Sequence, residues 1–579
     1  MARYATVVFS AAVIRWATLW GLVLGNAEAA DPGRVRPNVV LIVADDMGFS
    51  DAGCYGGEIH TPHLDQLASG GLRFTQFYNT ARCWPTRACL LTGYYAQQVR
   101  RDALPGLSAG GAAGRRPAWA RLLPEMLRPL GYRSYHSGKW HVDGKVLAGG
   151  FDRSYCLEDH DRNFNPQRHS LDDQPLAPVP AGSSYYSTTA IAQHALDMLA
   201  EHRAEHRSQP FFLYLCFTVP HFPLHALPED IAVYRERYRA GWDAVRRQRY
   251  ERMKAMGLVH CPLAGLDPDV IPRWNLSESQ LREQISADEV GRAVPWNSLS
   301  PDQQRFQAEK MAIHAAMIHR MDIEIGRVVE RLKALGVFED TVIFFLSDNG
   351  ASAEQMNRGD KHDRSAAPGS AGSFLCLGPG WSSASNAPFR LHKCWVHEGG
   401  IATPLVVHWP RGIAARGELR HTPAHVIDIA PTIVELAGGA WPPPLADKSA
   451  PSPPGKSLVP TFARNVDVLH EELWWFHEGN RAIRVGDWKL VSVGAGPWEL
   501  YDMKSDRSET KNLAADRPDQ VRKLEEAWKR LADEFQASAT RDLPTDKPDA
   551  KPKPKKKPGQ PKGGQPKPGQ PKGPQAKGG

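Results

Sequence analysis

Long hydrophobic runs are what this 579-residue chain lacks. The apolar stretch near its start, "WATLWGLVLG" (16–25), has ten residues, where a bilayer-spanning helix needs about 20. Cysteine is scarce as well: the eight at 54, 83, 89, 156, 216, 261, 376 and 394 exclude a disulfide scaffold in a chain of this length. With Cys83 set aside for chemistry, an odd number remains, so at least one thiol stays free. Cys216, inside the apolar "FFLYLCF", is the expected one. Acidic residues are absent from 551–579, "KPKPKKKPGQPKGGQPKPGQPKGPQAKGG", which carries nine lysines and only Ala576 to bury. That composition cannot form a core and predicts a disordered, partly polyproline-like tail. The body, finally, lacks positive charge. Removing the tail's nine lysines from the net +7 leaves −2, and removing Arg3, Arg15 and Glu28 leaves −3. Nucleic-acid binding thereby loses its main support.

What is present at the N-terminus reads as an export signal rather than an ordinary N-terminal helix. Arg3 and Arg15 precede the short apolar run, and Ala27 and Ala29 supply the small residues of a cleavage site. The chain is therefore expected to be exported, to the periplasm or beyond, after cleavage near Ala29. There the lysine-rich tail reads either as a contact for a polyanion or as a solvated appendage with no specific partner.

Four continuous apolar runs, "NVVLIV" (38–43), "FFLYL" (211–215), "TVIFFL" (341–346) and "PLVVHW" (404–409), read as strands buried on both faces. Helical patterns separate them. In "MIHRMDIEIGRVVERLKAL", Ile318, Met321, Ile325, Val328, Leu332 and Leu335 share one face. Strands alternating with helices predict an α/β sheet covered on both sides. The proline-rich "WPPPLADKSAPSPPGKS" (441–457) marks a boundary. Beyond it, "RAIRVGDWKLVSV" and "WELYDM" predict a small antiparallel sheet, and "DQVRKLEEAWKRLADEF" a closing helix. The expected organisation is a signal peptide (1–29), a catalytic α/β domain (35–440), a C-terminal α+β subdomain (441–539) and the tail (540–579).

The chemistry lies where strands end. The first run leads into "ADDMG" (Asp45, Asp46) and the third into "SDNG" (Asp348, Asn349). Ligands of open α/β sheets sit at the carboxyl ends of strands, so the two pairs can converge. Alone, each pair reads as an ordinary turn or loop. Together, four oxygen donors suit a hard cation, calcium before magnesium. Cationic groups follow: Lys139 and His141 in "HSGKWH", His221 after the second strand, Lys393 in "FRLHKCWVHEGG", and Arg87 one helical turn after Cys83. Each alone reads as a surface residue. As a set they suit an oxyanion such as phosphate or sulfate.

"CWPTRACLLTG" (83–93) resembles the signature of the type I, formylglycine-dependent sulfatases, Cys-x-Pro-x-Arg followed by Thr-Gly. The similarity extends over about residues 35–515 and is to the bacterial arylsulfatase-like branch. It includes "RPNVVLIVADDMGFSDAGCYGG", "GYRSYHSGKWH", "FFLSDNGASAEQ", "NAPFRLHKCWVHEGG" and "AIRVGDWKLV", in order. Thr86 stands where the family most often has serine.

The resemblance implies an alkaline-phosphatase-like fold and oxidation of Cys83 to Cα-formylglycine by a dedicated generating enzyme acting on the unfolded chain. The aldehyde hydrate would be the nucleophile, because a sulfated geminal diol expels sulfate by carbon–oxygen cleavage, whereas a sulfated serine is a stable ester. Asp45, Asp46, Asp348, Asn349 and the converted Cys83 would hold calcium. Arg87 and Lys139 would stabilise the hydrate, and Lys139 and Lys393 would clamp sulfate oxygens. His221, with Lys393, would protonate the leaving alcohol, and His141 would take the hydrate proton. The implied activity is hydrolysis of a small-molecule or carbohydrate sulfate ester. The alternatives are a phosphate or phosphonate monoester hydrolase on the same scaffold and a non-catalytic binder of sulfated glycans.

Overall fold

Residues 39–43 are apolar at every position because the strand they form has a core on each side. In the computed structural model, which describes residues 36–104, 110–358, 362–442 and 450–543, Val40, Ile42 and Ala44 enter one hydrophobic cluster. Val39, Leu41 and Val43 enter the other. Alternation of side chains across a strand places successive residues on opposite faces. Each fully buried Val, Leu or Ile contributes about 1.5–3 kcal/mol relative to exposure, so neither face tolerates a polar residue cheaply.

The large sheet has eleven strands. They are β1 (Asn38–Asp45), β2 (Leu72–Tyr78), β3 (Arg133–Gly138), β4 (Arg153–Leu157), β5 (His169–Leu171) and β6 (Gln174–Pro175). Then follow β7 (Phe211–Pro220), β8 (Thr341–Ser347), β9 (Ala402–His408), β10 (Glu418–Arg420) and β11 (Ala424–His425). Their order is β10-β2-β9-β8-β1-β7-β3-β4-β5-β6, with β11 also on β2. β8, β1, β7 and β3 run parallel, whereas β9 pairs antiparallel with both β8 and β2, so the sheet is mixed. The four strands expected from apolar runs are β1, β7, β8 and β9.

Helices cover both faces. Ser187–Glu205 and Pro301–Ala334 lie against β7. The longer helix starts at a capping box: Ser300 Oγ accepts from Gln303 N, and the Gln303 side chain accepts from Ser300 N. On the other face, Leu90 and Leu91 of helix Cys83–Thr92 pack in the same cluster as Ile433 of helix Ile429–Leu436.

A second, four-stranded antiparallel sheet comprises β12 (Glu472–His477), β13 (Asn480–Val485), β14 (Trp488–Ser492) and β15 (Glu499–Asp502), followed by helix Pro518–Thr540. β13 to β15 and the helix match the expected pieces; β12, "ELWWFH", was not anticipated, because its two tryptophans break a simple alternation. A buried charge cluster ties this sheet to the segment before β9. Lys489 Nζ is 2.9 Å from Glu398 and 2.7 Å from Glu509, and Arg507 reaches Glu398 at 2.8 Å. All eight cysteines are free and buried, Cys216 included. The described residues up to Ala539 group as one compact unit. The expected signal segment 1–29 and the lysine-rich stretch 551–579 lie outside the described residues, as does 443–449 of the proline-rich stretch.

Candidate active site

Four adjacent parallel strands deliver their next residues to one place. β1 ends on Asp45 and is followed by Asp46; β8 is followed by Asp348 and Asn349; β7 by His221; β3 by Lys139 and His141. Because Ala44 and Ser347 are paired in register, the two carboxylate pairs emerge side by side. Cys83 and Arg87 come from the helix Cys83–Thr92, which follows β2, and Lys393 from the segment before β9. Ten residues singled out in the sequence thus converge. Nine of them are buried, and His141 is half-buried.

The local backbone is unusual at this convergence. Asp46 (φ 68°), Ala81 (φ 63°), His141 (φ 54°), Leu391 (φ 64°) and Cys394 (φ 80°) are all left-handed without being glycine. Such residues are disfavoured and persist where packing over-determines them, typically at functional sites. Helix Cys83–Thr92 stops at Gly93 (φ 74°), whose N–H bonds Cys89 O at 2.9 Å. A Cβ there would meet the Trp441 ring at 2.5 Å, so the glycine of the Thr-Gly pair is required twice over. Thr86, the departure from serine, uses only its hydroxyl: Oγ1 accepts from Thr80 N at 3.1 Å and lies 2.7 Å from Thr80 Oγ1.

Asp45 and Asp348 are each divided between a cation and an open position, whereas both Asp46 oxygens are partnered. Lys139 Nζ holds Asp45 Oδ2 at 2.5 Å, and Arg87 Nε donates to Asp348 Oδ2 at 3.0 Å. Asn349 Nδ2 donates to Asp46 Oδ1 at 2.7 Å, and Lys393 Nζ is within 2.9 Å of both Asp46 oxygens. Asp45 Oδ1, Asp348 Oδ1 and Asn349 Oδ1 are buried and have no hydrogen-bond partner. Leaving one such group unsatisfied costs about 1–3 kcal/mol, so three together mark a site that a cation would satisfy. Ligand atoms of Asp45, Cys83 and Asp348 lie within 4.8 Å of one another, as do those of Asp45, Asp46 and His221. Oxygen atoms about 2.3–2.6 Å from a calcium ion have mutual separations of this order, and the donor set is the oxygen-rich one calcium prefers.

Burial dominates the protonation equilibria, and neighbouring charge decides their direction. Burial raises Asp348 to about 7, with Asp45 adding to the effect. For Asp45 burial acts in the same direction but is outweighed by Lys139, His221 and Arg87, which hold the carboxylate well below its usual range. Burial and then Lys393 push His221 far down; burial and then Lys139 do the same to His141. The Cys83 thiol is raised by burial against the opposing pull of Lys139 and Lys393. His221 Nδ1 lies 2.5 Å from the Phe222 carbonyl, so it carries the proton and leaves Nε2 facing Asp46 at 3.8 Å.

Several residues around the site carry no motif. Buried Glu354 receives Lys393 Nζ at 3.1 Å, Arg82 at 3.2 Å and the Trp274 indole N–H at 2.8 Å. The Arg82 guanidinium lies over the rings of both Trp84 and Trp274 and donates to the Cys394 sulfur. His160 places its ring 5.7 Å from His141 and 5.6 Å from His221. His477, from the end of β12, packs edge-on against Trp84. Adjacency of Arg82 and Trp84 to Cys83 was the one signal available; Glu354, His160 and His477 belong to no recognisable spacing.

Comparison with known proteins identifies the family and the fold. The sulfatase family model matches residues 37–440, and a model described as the C-terminal part of N-sulphoglucosamine sulphohydrolase matches 389–537. An arylsulfatase of Klebsiella aerogenes is 32% identical over 446 residues, 72% of this chain and 89% of that protein. Among solved structures, a protein in complex with its substrate D-glucosamine-2-N,6-O-disulfate superposes with TM-score 0.60 at 21% identity, covering 88% of this chain and 99% of that one. The phosphonate monoester hydrolase of Agrobacterium radiobacter shares the fold at TM-score 0.52 and 20% identity, over 86% of this chain and 96% of its own.

Proposed function

The chain belongs to the sulfatase family, and on that premise we propose that it hydrolyses organic sulfate monoesters to an alcohol and sulfate, using a formylglycine made from Cys83 and a calcium ion. The observation that carries this reading is the convergence on Cys83 of three unpartnered buried oxygens with Lys139, Lys393 and Arg87. Asp45, Asp46, Asp348, Asn349 and residue 83 would hold the ion. When present, the ion supplies positive charge to the sulfate oxygens, and the hydrated aldehyde supplies a nucleophile that a buried thiol, raised in pKa, does not.

The chain's own residues do the rest. Counting Glu354 and Arg82, four acids face four cationic side chains, so a dication leaves the site net positive and receptive to an ester anion. Lys139 and Lys393 are placed to neutralise sulfate oxygens, each held in line by an aspartate. Arg87 is locked by Asp348 and by the Lys139 carbonyl, 2.9 Å from its Nη1, which fixes it beneath residue 83. His221 presents Nε2 toward the same space. An arriving oxyanion offsets the Lys393 charge that disfavours imidazolium, so the substrate itself favours the proton His221 donates to the leaving alcohol. His141, whose ring packs edge-on against Trp84, the neighbour of Cys83, would accept a proton from residue 83.

A sulfated carbohydrate is the favoured substrate class, in keeping with the disulfated glucosamine of the solved relative. No helix among the described residues is long and apolar enough to cross a membrane, and export would rest on the segment 1–29. The generating enzyme would be met before folding, since Cys83 is 3% exposed once folded. The deciding experiment is mass spectrometry of the tryptic peptide "CWPTR", read for aldehyde against thiol, with turnover of 4-nitrophenyl sulfate against 4-nitrophenyl phosphate. Thiol alone in active protein would refute the formylglycine; a faster phosphate reaction would move the chain to the phosphoryl-transfer branch of the fold.

A further inference from the structure

Beside the sulfate-binding lysine lies a second cleft, of about 360 Å³, lined by 269–274, Cys394, Trp395, Glu478, Asn480 and Val493. Three of its lining residues are tied to the catalytic centre by chain adjacency and short contacts. Cys394 follows Lys393. Trp274 donates to Glu354, which also holds Lys393. Glu478 follows His477, whose ring packs on Trp84, the residue after Cys83. The cleft is therefore anchored to residues that neighbour the sulfate site.

Its surfaces are of three kinds. Trp274 is a fixed platform: its indole N–H is tied to buried Glu354, the Arg82 guanidinium covers one face at 5.4 Å, and the residue is still 39% exposed. Across from it, Glu478 occupies the turn between β12 and β13 in a left-handed conformation (φ 50°), its side chain 34% exposed. Its carboxylate lies 3.6 Å from Nε2 of its own neighbour His477. The floor is apolar, with Cys394 and Trp395 buried and Val270 and Val493 packed on them.

We propose that this cleft binds a neutral pyranose ring of the substrate's organic part. The inference rests on the sulfatase reading and adds the place and chemistry of recognition. An aromatic plane with one open face stacks on the C–H face of a sugar, and an accessible carboxylate accepts from a pair of hydroxyls. Glu478 disfavours a second anionic group, and Arg273 disfavours a cationic one. A bare aryl ester offers neither the saturated C–H face nor the hydroxyls that Trp274 and Glu478 are placed to engage.

The test compares kcat/KM for pyranose monosulfates (the O-sulfates of glucose, galactose and their N-acetylamino forms) with kcat/KM for 4-nitrophenyl sulfate. In Trp274→Ala and Glu478→Gln the ratio of sugar to aryl ester should fall by about tenfold, the equivalent of one lost contact of about 1.4 kcal/mol. Trp274→Phe keeps a ring but not the N–H bond to Glu354, and should hold the ratio within about threefold of wild type. A parallel fall for both substrate types, or an effect of Trp274→Phe equal to that of Trp274→Ala, overturns the proposal. So does wild-type turnover of the aryl ester with none of the sugar esters, which leaves the sulfatase reading intact. If neither type is turned over, the sulfatase reading fails, and the cleft is judged by saturation-transfer NMR to unsulfated N-acetylglucosamine. Transfer that is present in wild type and lost in Trp274→Ala supports the cleft, and its absence from wild type overturns it.

Discussion

At the carboxyl ends of β8, β1, β7 and β3, each functional side chain lies at most three residues past its strand; on the facing wall, Trp274, Glu478 and Asn480 come from segments with no common pattern. The first region is charged, buried and built on parallel strands in register. The second is half-open and assembled from a loop, a turn and the start of an inner strand of the small sheet. Chemistry that must hold a dication and an oxyanion admits few residue types and few places, so it leaves motifs. Recognition of an organic group can be met by many combinations, and therefore leaves none.

The sharpest way to break the contrast is at its charged end. Cys83→Ala should lower kcat by about 10⁴-fold or more, as loss of a nucleophile does, while the melting temperature moves by only a few degrees. Cys83→Ser should be equally inactive or trapped as a sulfate ester visible by mass spectrometry. Appreciable turnover of 4-nitrophenyl sulfate by either variant would remove residue 83 from the mechanism.

Legibility in the sequence follows the same division. β1, β7, β8 and β9 were readable because strands buried on both faces have no polar positions, as Val39 to Val43 illustrate. β12 was not, because Trp474 and Trp475 face different clusters and look like neither a helix stripe nor an alternation. In the site, Asp348 was legible through its place at a strand end. Glu354, which holds Lys393, Arg82 and Trp274 together, lies six residues farther on in an irregular segment and has meaning only through three-dimensional contacts.

The buried cluster between the two sheets tests whether the small sheet is a passive support. Lys489→Met leaves Glu398 and Glu509 facing each other with Arg507 as the main remaining cation. Breaking a buried ionic group in this way costs about 3–5 kcal/mol, which urea unfolding would register. Because Glu478 and His477 hang from this sheet, the variant should also lose carbohydrate-sulfate turnover at temperatures where it remains folded. A stable protein with unchanged kinetics would show that the sheet contributes neither.

Asp348→Asn sharpens the comparison more gently. It removes one formal charge facing the cation and weakens the hold on Arg87, so calcium affinity should fall on the order of tenfold. Measured as thermal stabilisation by added calcium, which grows with the logarithm of ligand over Kd, the wild type should gain more than the variant at every concentration. Exhaustive chelation should abolish the wild-type increment together with its activity. Equal calcium responses in both proteins would take Asp348 out of the ligand set.

The smallest effect is expected from the lysine-rich end. Truncation after Arg541 removes a segment with almost nothing apolar to bury, and ordering such a segment against the body would cost conformational entropy without return. Hydrolysis of 4-nitrophenyl sulfate should therefore be unchanged. The nine lysines should nonetheless attract a polyanion, and salt should screen that attraction because the charges are exposed. Full-length protein should be retained on an anionic polysaccharide column at low salt and released as salt rises, while the truncated protein passes through. Equal retention of the two would reduce the tail to a solvated appendage, and a large loss of aryl-sulfate turnover would mean that residues beyond 541 belong to the catalytic body.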